Sequence, residues 1–378
     1  MNKYVFIAFI LLILSNCGPR QDEVEKIVED GVEVIINHLE PYKIGDISSF
    51  HLEEIFKIDT EEDEISNLGI PDILGFEISS LGEIFILRTF TGEGDFIFKF
   101  NSSGKFVTSF GPRGQGPGEF QNPHHIALDS EDNIVIIDSG RPILIKYDKD
   151  GVFIDDYEMP NEDTRITSGP KATLLVQGIL FDRDKEKASY SFKLKLLNHN
   201  LEVIQVIDKL SFEISPVKIR ATEPLFCWST SLESIFVANE ERGYEIWVYD
   251  SNGKLIRKIR KEYTQLPVSE NYKEKILKPF PVNMRNVLYF PEFQPPLQSL
   301  AAADNGKLLV STYESGNSPG EFMCDIFNED GVFIGRKSLN IWIWEGHLWA
   351  KMTADKFYCL TEKDSGYKAL YVYNVSSE

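Results

Sequence analysis

Arg113, His124, His125 and Arg141 are the residues of this 378-residue chain whose types and spacing could do chemistry together. Two adjacent imidazoles can bind a metal or carry a proton near neutral pH. Two arginines on neighbouring loops can hold an acidic group by charge-assisted hydrogen bonds. Arg141 has a second reading, because Asp138 lies three residues before it and the two can pair across a hairpin end. Between the candidates lies a glycine-rich run, GPRGQGPG at 111–118. It lacks the Gly-Lys-Ser/Thr ending of a phosphate-cradling loop and opens no helix, so nucleotide binding is not expected.

Other chemistries are excluded by spacing. No Gly-x-Ser-x-Gly elbow and no His-Glu-x-x-His helix occurs, and the six histidines are scattered. No Cys-x-x-Cys or His-x₃-His spacing supports zinc. Aspartates cluster in short turns but lack the calcium-loop ligand series. No metal and no cofactor is expected. Tyr289, Phe290, Phe293, Trp342, Trp344 and Trp349 can stack on sugar rings or pack the core, and both readings stay open.

The elements that must position these residues are short strands. After His125, IALD leads through the polar turn 130–133 to IVIID, a break at 139–142 leads to ILIKYD, and the turn at 149–151 leads to VFIDDY. β-branched runs joined by Gly, Asp, Asn and Pro are strand and hairpin signals. Four such strands make one twisted sheet, which cannot bury both faces without neighbours like itself.

That unit resembles an NHL-type propeller blade, on the residues GQGPGEF at 114–120, Asn122-Pro123, IALD at 126–129, NIVIIDS at 133–139 and YDKDG at 147–151. GQGPGEF also looks like the motif of six-bladed propeller lipoproteins of the Bacteroidetes. His124-His125 stands where that family usually has Arg-Gly. The resemblance implies a propeller, with ligands or peptides bound where loops enter the innermost strands around the channel mouth. It also takes in NHL-type lyases that hold a metal with axial histidines, for which only His124-His125 is placed and other blades offer no counterpart.

The turn ending each third strand recurs at 100–104, 147–151, 249–253 and 327–331, with a degenerate copy at 197–201. Repeats of this length point to propeller blades. The last interval is lengthened by residues 262–296, read as a helical and proline-rich insertion lying outside the blade strands. The final unit offers only three strands. Residues 52–59 (LEEIFKID) precede the first blade and are expected to pair with 369–375, which removes both open edges. The chain is therefore read as all-β, a six-bladed β-propeller of four-stranded antiparallel blades closed by an N-terminal strand, spanning 51–378.

Residues 1–16 read as a lipoprotein signal peptide: a basic start, an apolar run from Tyr4 to Leu14 too short to span a bilayer, and a lipobox-like ending before Cys17. Cys17 is the expected lipidation site, and 17–50 a tether with a possible edge strand at 32–36. One acyl chain holds a protein only marginally, whereas two or three keep it on the membrane. The other three cysteines, Cys227, Cys324 and Cys359, sit in apolar strands of different blades and read as buried thiols. A net charge of −20 argues against nucleic acid.

These features imply a cell-envelope protein, lipid-anchored to the outer membrane. Its propeller is expected to bind a ligand, peptide, glycan or envelope partner without catalysis. The alternative is a hydrolase or NHL-type lyase with its site at the channel mouth.

Overall fold

A computed structural model describes residues 24–42, 51–89, 91–160, 162–171, 173–183, 188–215, 218–341, 343–344, 347–353 and 355–376. The signal segment and Cys17 lie outside them. Six sheets stand around one axis. Blade one runs Ile73–Ile78, Ile84–Arg88, Ile97–Phe100, Phe106–Phe110, and blade two Pro123–Leu128, Ile134–Asp138, Ile143–Tyr147, Phe153–Glu158. Blade three has longer outer strands, Asp163–Ser168, Leu174–Arg183, Ala188–Leu197 and Val203–Ile214. Blade four begins Phe226–Thr230, Ser234–Asn239, Glu245–Asp250, Leu255–Lys261, and blade five is Ser299–Ala302, Leu308–Ser315, Phe322–Phe327, Phe333–Leu339. The sixth comprises Ala350–Met352, Lys356–Glu362, Lys368–Ser376 and, as its outer strand, His51–Asp59.

The ring is closed as the strand count requires. His51–Asp59 pairs antiparallel with Lys368–Ser376, with Leu52 opposite Val375 and Asp59 opposite Ala369. Burial explains the patterning within a blade. Second strands such as Ile84–Arg88 and Ile134–Asp138 are buried at every position, because each is covered on both faces by neighbouring blades. Such strands read as continuous apolar runs, not alternating ones. Outer strands such as Phe153–Glu158 are mostly exposed. One apolar cluster fills each gap between blades; between blades one and two it joins Phe85, Phe96 and Phe110 to Phe120, Ile136 and Tyr147. Each such side chain, fully buried, contributes about 1.5–3 kcal/mol.

The repeated turn is a socket between blades. Its second residue (Asn101, Asp148, Asn198, Asp250 or Asn328) accepts two backbone N–H bonds through Oδ1, from the residues two and four positions on. These side-chain oxygens thus hold the turn's backbone. Its glycine has positive φ, +85° at Gly151. An added Cβ at Gly151 would stand 2.5 Å from the Phe110 ring of the preceding blade. Gly104 receives Phe56 of blade six and Gly331 receives Ile259 of blade four in the same way. Glycine is required twice over, by φ and by the neighbour.

Blade four departs from the four-stranded pattern. Val32–Asn37 lies parallel to Leu255–Lys261 as a fifth strand, and Glu25–Glu29 pairs with it as a sixth. The run read as an edge strand is therefore the inner half of a hairpin. Ile35 is fully buried beside Val332, and Tyr42 packs with them. Asn37, also fully buried, donates through Nδ2 to the carbonyls of Gly331 and Arg260 (3.0 and 3.3 Å) and accepts from Phe333 N–H (2.7 Å). From Val24 to Tyr42 the chain is a strap joining blades four and five.

Residues 262–296 hold no blade strand. They form the helix Glu270–Leu277, capped by Ser269 Oγ accepting from Tyr272 N–H (3.2 Å), and a turn of helix at Val282–Arg285. Leu288–Tyr289 pairs with Ile219–Arg220, so the insertion is tied to the connection entering blade four. Cys227, Cys324 and Cys359 are buried free thiols in blades four, five and six. No helix among the described residues is long and apolar enough to cross a membrane.

Candidate functional site: the central channel

The first strand of every blade lines the axis, where they enclose a cavity of about 90 Å³ open to solvent. Most of its wall is apolar or carries small hydroxyls, as strand positions facing a narrow axis must be. Four charged or titratable side chains interrupt it: Glu77 from blade one, His125 from blade two, Arg165 from blade three and Lys351 from blade six. Trp228 of blade four and Trp349, just ahead of the first strand of blade six, supply two indoles.

Glu77 is 4% exposed and pairs with Lys351 across the blade boundary at 3.1 Å. Burial raises the Glu77 carboxyl above its usual range, and Lys351 offsets part of that rise. Arg165 is almost buried and reaches Gln177 Oε1 at 3.5 Å. The His125 ring lies nearly parallel to the Trp349 indole, with centroids 6.0 Å apart and an interplanar angle of 9°. Removal from water, then the nearby Arg165 charge, then His124, push the His125 imidazole down to about 3. It is therefore neutral at pH 7, a hydrogen-bonding group and not a cation.

Trp349 can lie across the channel only because blade one has Gly75 there. A Cβ at that position would come within 2.6 Å of the indole. The same indole thus packs on blade one and stacks on blade two. Of the two roles the sequence left open, Trp349 takes the packing one, while also lining the channel. Trp342 and the side chain of Trp344 lie outside the described residues. Tyr289 is exposed on the insertion, and Phe290 and Phe293 are half-buried there.

Of the four residues singled out from sequence, only His125 lines the channel. His124 stacks on it, with centroids 6.2 Å apart. Arg141 is held within the glycine-rich loop: it donates to the carbonyls of Gln115 (3.0 Å) and Glu119 and pairs with Asp138 at 3.4 Å. Asp138, fully buried, also accepts from the backbone N–H of Gln121 and Asn122 (2.9 and 2.8 Å). The hairpin-pair reading of Arg141 therefore describes its geometry. Arg113 lies over the Phe96 ring at 5.7 Å. The loop is folded about its own Glu119, which accepts from Gly116 N–H at 2.8 Å, and is pinned by Tyr147 donating to the Gly118 carbonyl.

Sequence reasoning missed Glu77, Arg165 and Lys351. Glu77 and Lys351 are single charges inside short apolar strands, and Arg165 lies in the polar strand DTRITS, with no motif shared between blades. For Glu77 and Lys351 the only signal was a charge within a run otherwise fit for burial. Among the described residues, no three His, Cys, Asp or Glu side chains group as a metal site requires.

Comparison with known proteins agrees with the geometry. A family model described as a 6-bladed beta-propeller matches residues 67–215. No curated protein matches the sequence. A protein of Bacteroides fragilis named as exported is similar in structure, with a TM-score of 0.54 and 13% identity, over 91% of this chain and all (100%) of its own. A member of the duf4221 family from Bacteroides vulgatus aligns with a TM-score of 0.47 and 12% identity, over 94% of this chain and 99% of its own. Virginiamycin B lyase from Staphylococcus aureus aligns with a TM-score of 0.42 and 11% identity, over 85% of this chain and 99% of its own. At 13% identity the likeness to the Bacteroides fragilis protein is one of fold. The chain is a six-bladed β-propeller.

Proposed function

We propose that this protein is a cell-envelope lipoprotein, anchored through Cys17, whose propeller binds a small ligand in its central channel without transforming it. The observation that carries the proposal is the convergence of Glu77, His125, Arg165 and Lys351 from four blades on one cavity. Arg165 and Lys351 outweigh Glu77, and His125 is neutral, so the lining has one excess positive charge in a chain of net −20. Such a lining favours a ligand with one acidic group. Trp228 and Trp349 favour an apolar or planar body beside it. The fold shared with an exported Bacteroides protein and the lipobox-like ending at Cys17 support an envelope location.

The test is thermal unfolding of the full chain against a library of small monocarboxylates and their amides. A ligand at a hundred times its Kd adds about 2.7 kcal/mol. Carboxylates are expected to raise Tm by a few degrees, their amides not, and Lys351→Met to abolish the rise. If no acid stabilises the protein, or if Lys351→Met responds like wild type, the channel reading is wrong. The anchor is tested separately: Cys17→Ala is expected to stop incorporation of labelled fatty acid, and unchanged labelling would overturn it.

A further inference from the structure

We infer a second binding site, in the cleft between blades four and five beneath the insertion, whose ligand is an uncharged saccharide. The cleft holds about 390 Å³ and is lined by no residue of the channel. That volume lies within the range of small-molecule sites, toward its lower end. Its walls come from the two segments foreign to the blade pattern: Glu40 follows the N-terminal hairpin, while Tyr263, Thr264 and Gln294 belong to the insertion. The insertion's helix is tied to the cleft wall by Tyr272, whose ring meets that of the lining residue Tyr313 edge-on at 6.1 Å.

The charges of the cleft decide the ligand class. Asp325, fully buried on its floor, accepts from Tyr244 O–H (2.7 Å) and Arg336 Nε (2.7 Å), with Lys261 Nζ at 3.4 Å. Both terminal nitrogens of Arg336 are spent on Glu314, at 2.8 Å each. The two cations are therefore neutralised by two carboxylates of the protein itself, and Glu40 at the rim adds a negative charge. An anionic ligand would meet no uncompensated cation.

What the cleft offers is acceptor capacity: second lone pairs on Glu314, the Glu40 carboxylate, the Gln294 amide and the Thr264 hydroxyl. Tyr263, Tyr313, Pro295 and Pro296 supply flat apolar faces beside these groups. Hydroxyl donors around a ring with exposed C–H faces satisfy both demands. A saccharide has that chemistry.

The test applies the full chain in detergent to an immobilised array of neutral oligosaccharides, acidic oligosaccharides and alkyl amines. Neutral oligosaccharides are expected to be retained. Thr264→Trp, which fills the cleft from an exposed position outside the blades, should weaken retention by about tenfold or more. Gln294→Ala should weaken it less, and unchanged Tm in both variants shows that folding is intact. The inference is overturned if wild type retains no neutral oligosaccharide, if only amines or acidic sugars bind, or if Thr264→Trp retains the sugars. It is also overturned if Lys351→Met loses them while Thr264→Trp does not, since that outcome places the sugar in the channel.

Discussion

Asp59 and Lys363, 304 residues apart in the chain, meet at 3.0 Å where the last blade is completed. Asp59 ends the closing strand with its carboxylate 2% exposed, and Lys57 reaches the same carboxylate at 3.0 Å. Thr60 Oγ1 donates to the Lys368 carbonyl at 3.0 Å, and Lys368 N–H donates to Asp72 Oδ1 at 3.0 Å. The seam that turns a linear array into a ring is thus bonded by side chains as well as by the strand ladder.

That seam is expected to be acid-labile. Burial alone would raise the Asp59 carboxyl, but hydrogen bonds from Lys363 and Lys57 outweigh it and hold the group below its usual range. A depressed folded value means that the unfolded chain takes the proton first. The contribution is complete above the unfolded value of about 3.9 and is lost as pH falls through the folded one. Asp59→Asn should lower stability at pH 7 by about 1–3 kcal/mol. It should also shrink the loss of Tm on acidification below about pH 4. Equal acid sensitivity in both proteins would contradict the assignment.

The sockets between blades can be weighed by comparing two glycines. Gly151 and Gly366 have nearly equal φ, +85° and +86°, but a Cβ at Gly151 would meet Phe110 at 2.5 Å while one at Gly366 meets nothing within 4 Å. Gly366→Ala should cost about 1–2 kcal/mol, the backbone strain alone. Gly151→Ala should cost at least about 1 kcal/mol more, because Phe110 must move within a filled core. Chemical denaturation of both variants measures the difference. Equal losses would show that the aromatic contact adds nothing.

These particulars explain what was legible in the sequence. The Asn/Asp–Gly turns could be found because backbone geometry and a neighbouring side chain both demand them, so the same residues recur. The closing strand could be found because a three-stranded last blade needs a partner. The strap at Val32–Asn37 was visible as a strand, but its partner was not, since parallel pairing with Leu255–Lys261 leaves no turn between them. Arg141 looked available because its acceptors are carbonyls of Gln115 and Glu119, which no side-chain pattern reveals. The channel set was illegible for a related reason: each of four blades contributes a single residue, and convergence is a property of the ring.

The strap is expected to carry stability. Asn37→Ala removes two donated bonds and leaves the Phe333 N–H without its acceptor in a buried place. An unsatisfied buried group costs about 1–3 kcal/mol. Deleting 24–42 should lower Tm further, since it also uncovers Val332 and removes the Glu29–Arg260 pair at 2.9 Å. Thermal melts of the two variants test this order. If the deletion melts like wild type, the strap is only a spacer.

His125 should leave a separate mark on the pH profile, above the range in which ordinary carboxylates titrate. Its imidazole is held down to about 3, while in the unfolded chain it titrates near 6.5. Between those values the unfolded state carries a proton that the folded state refuses. Its contribution is therefore complete above about 6.5 and is lost as pH falls toward 3. From pH 7 to pH 5 the loss is about 1–2 kcal/mol. His125→Phe keeps a flat ring against Trp349 and cannot take the proton, so its stability should change less over that interval. Urea unfolding at pH 7 and pH 5 gives the comparison directly. A variant as pH-sensitive as wild type would mean that His125 takes its proton in the channel as readily as in the unfolded chain, and that burial there does not hold it neutral.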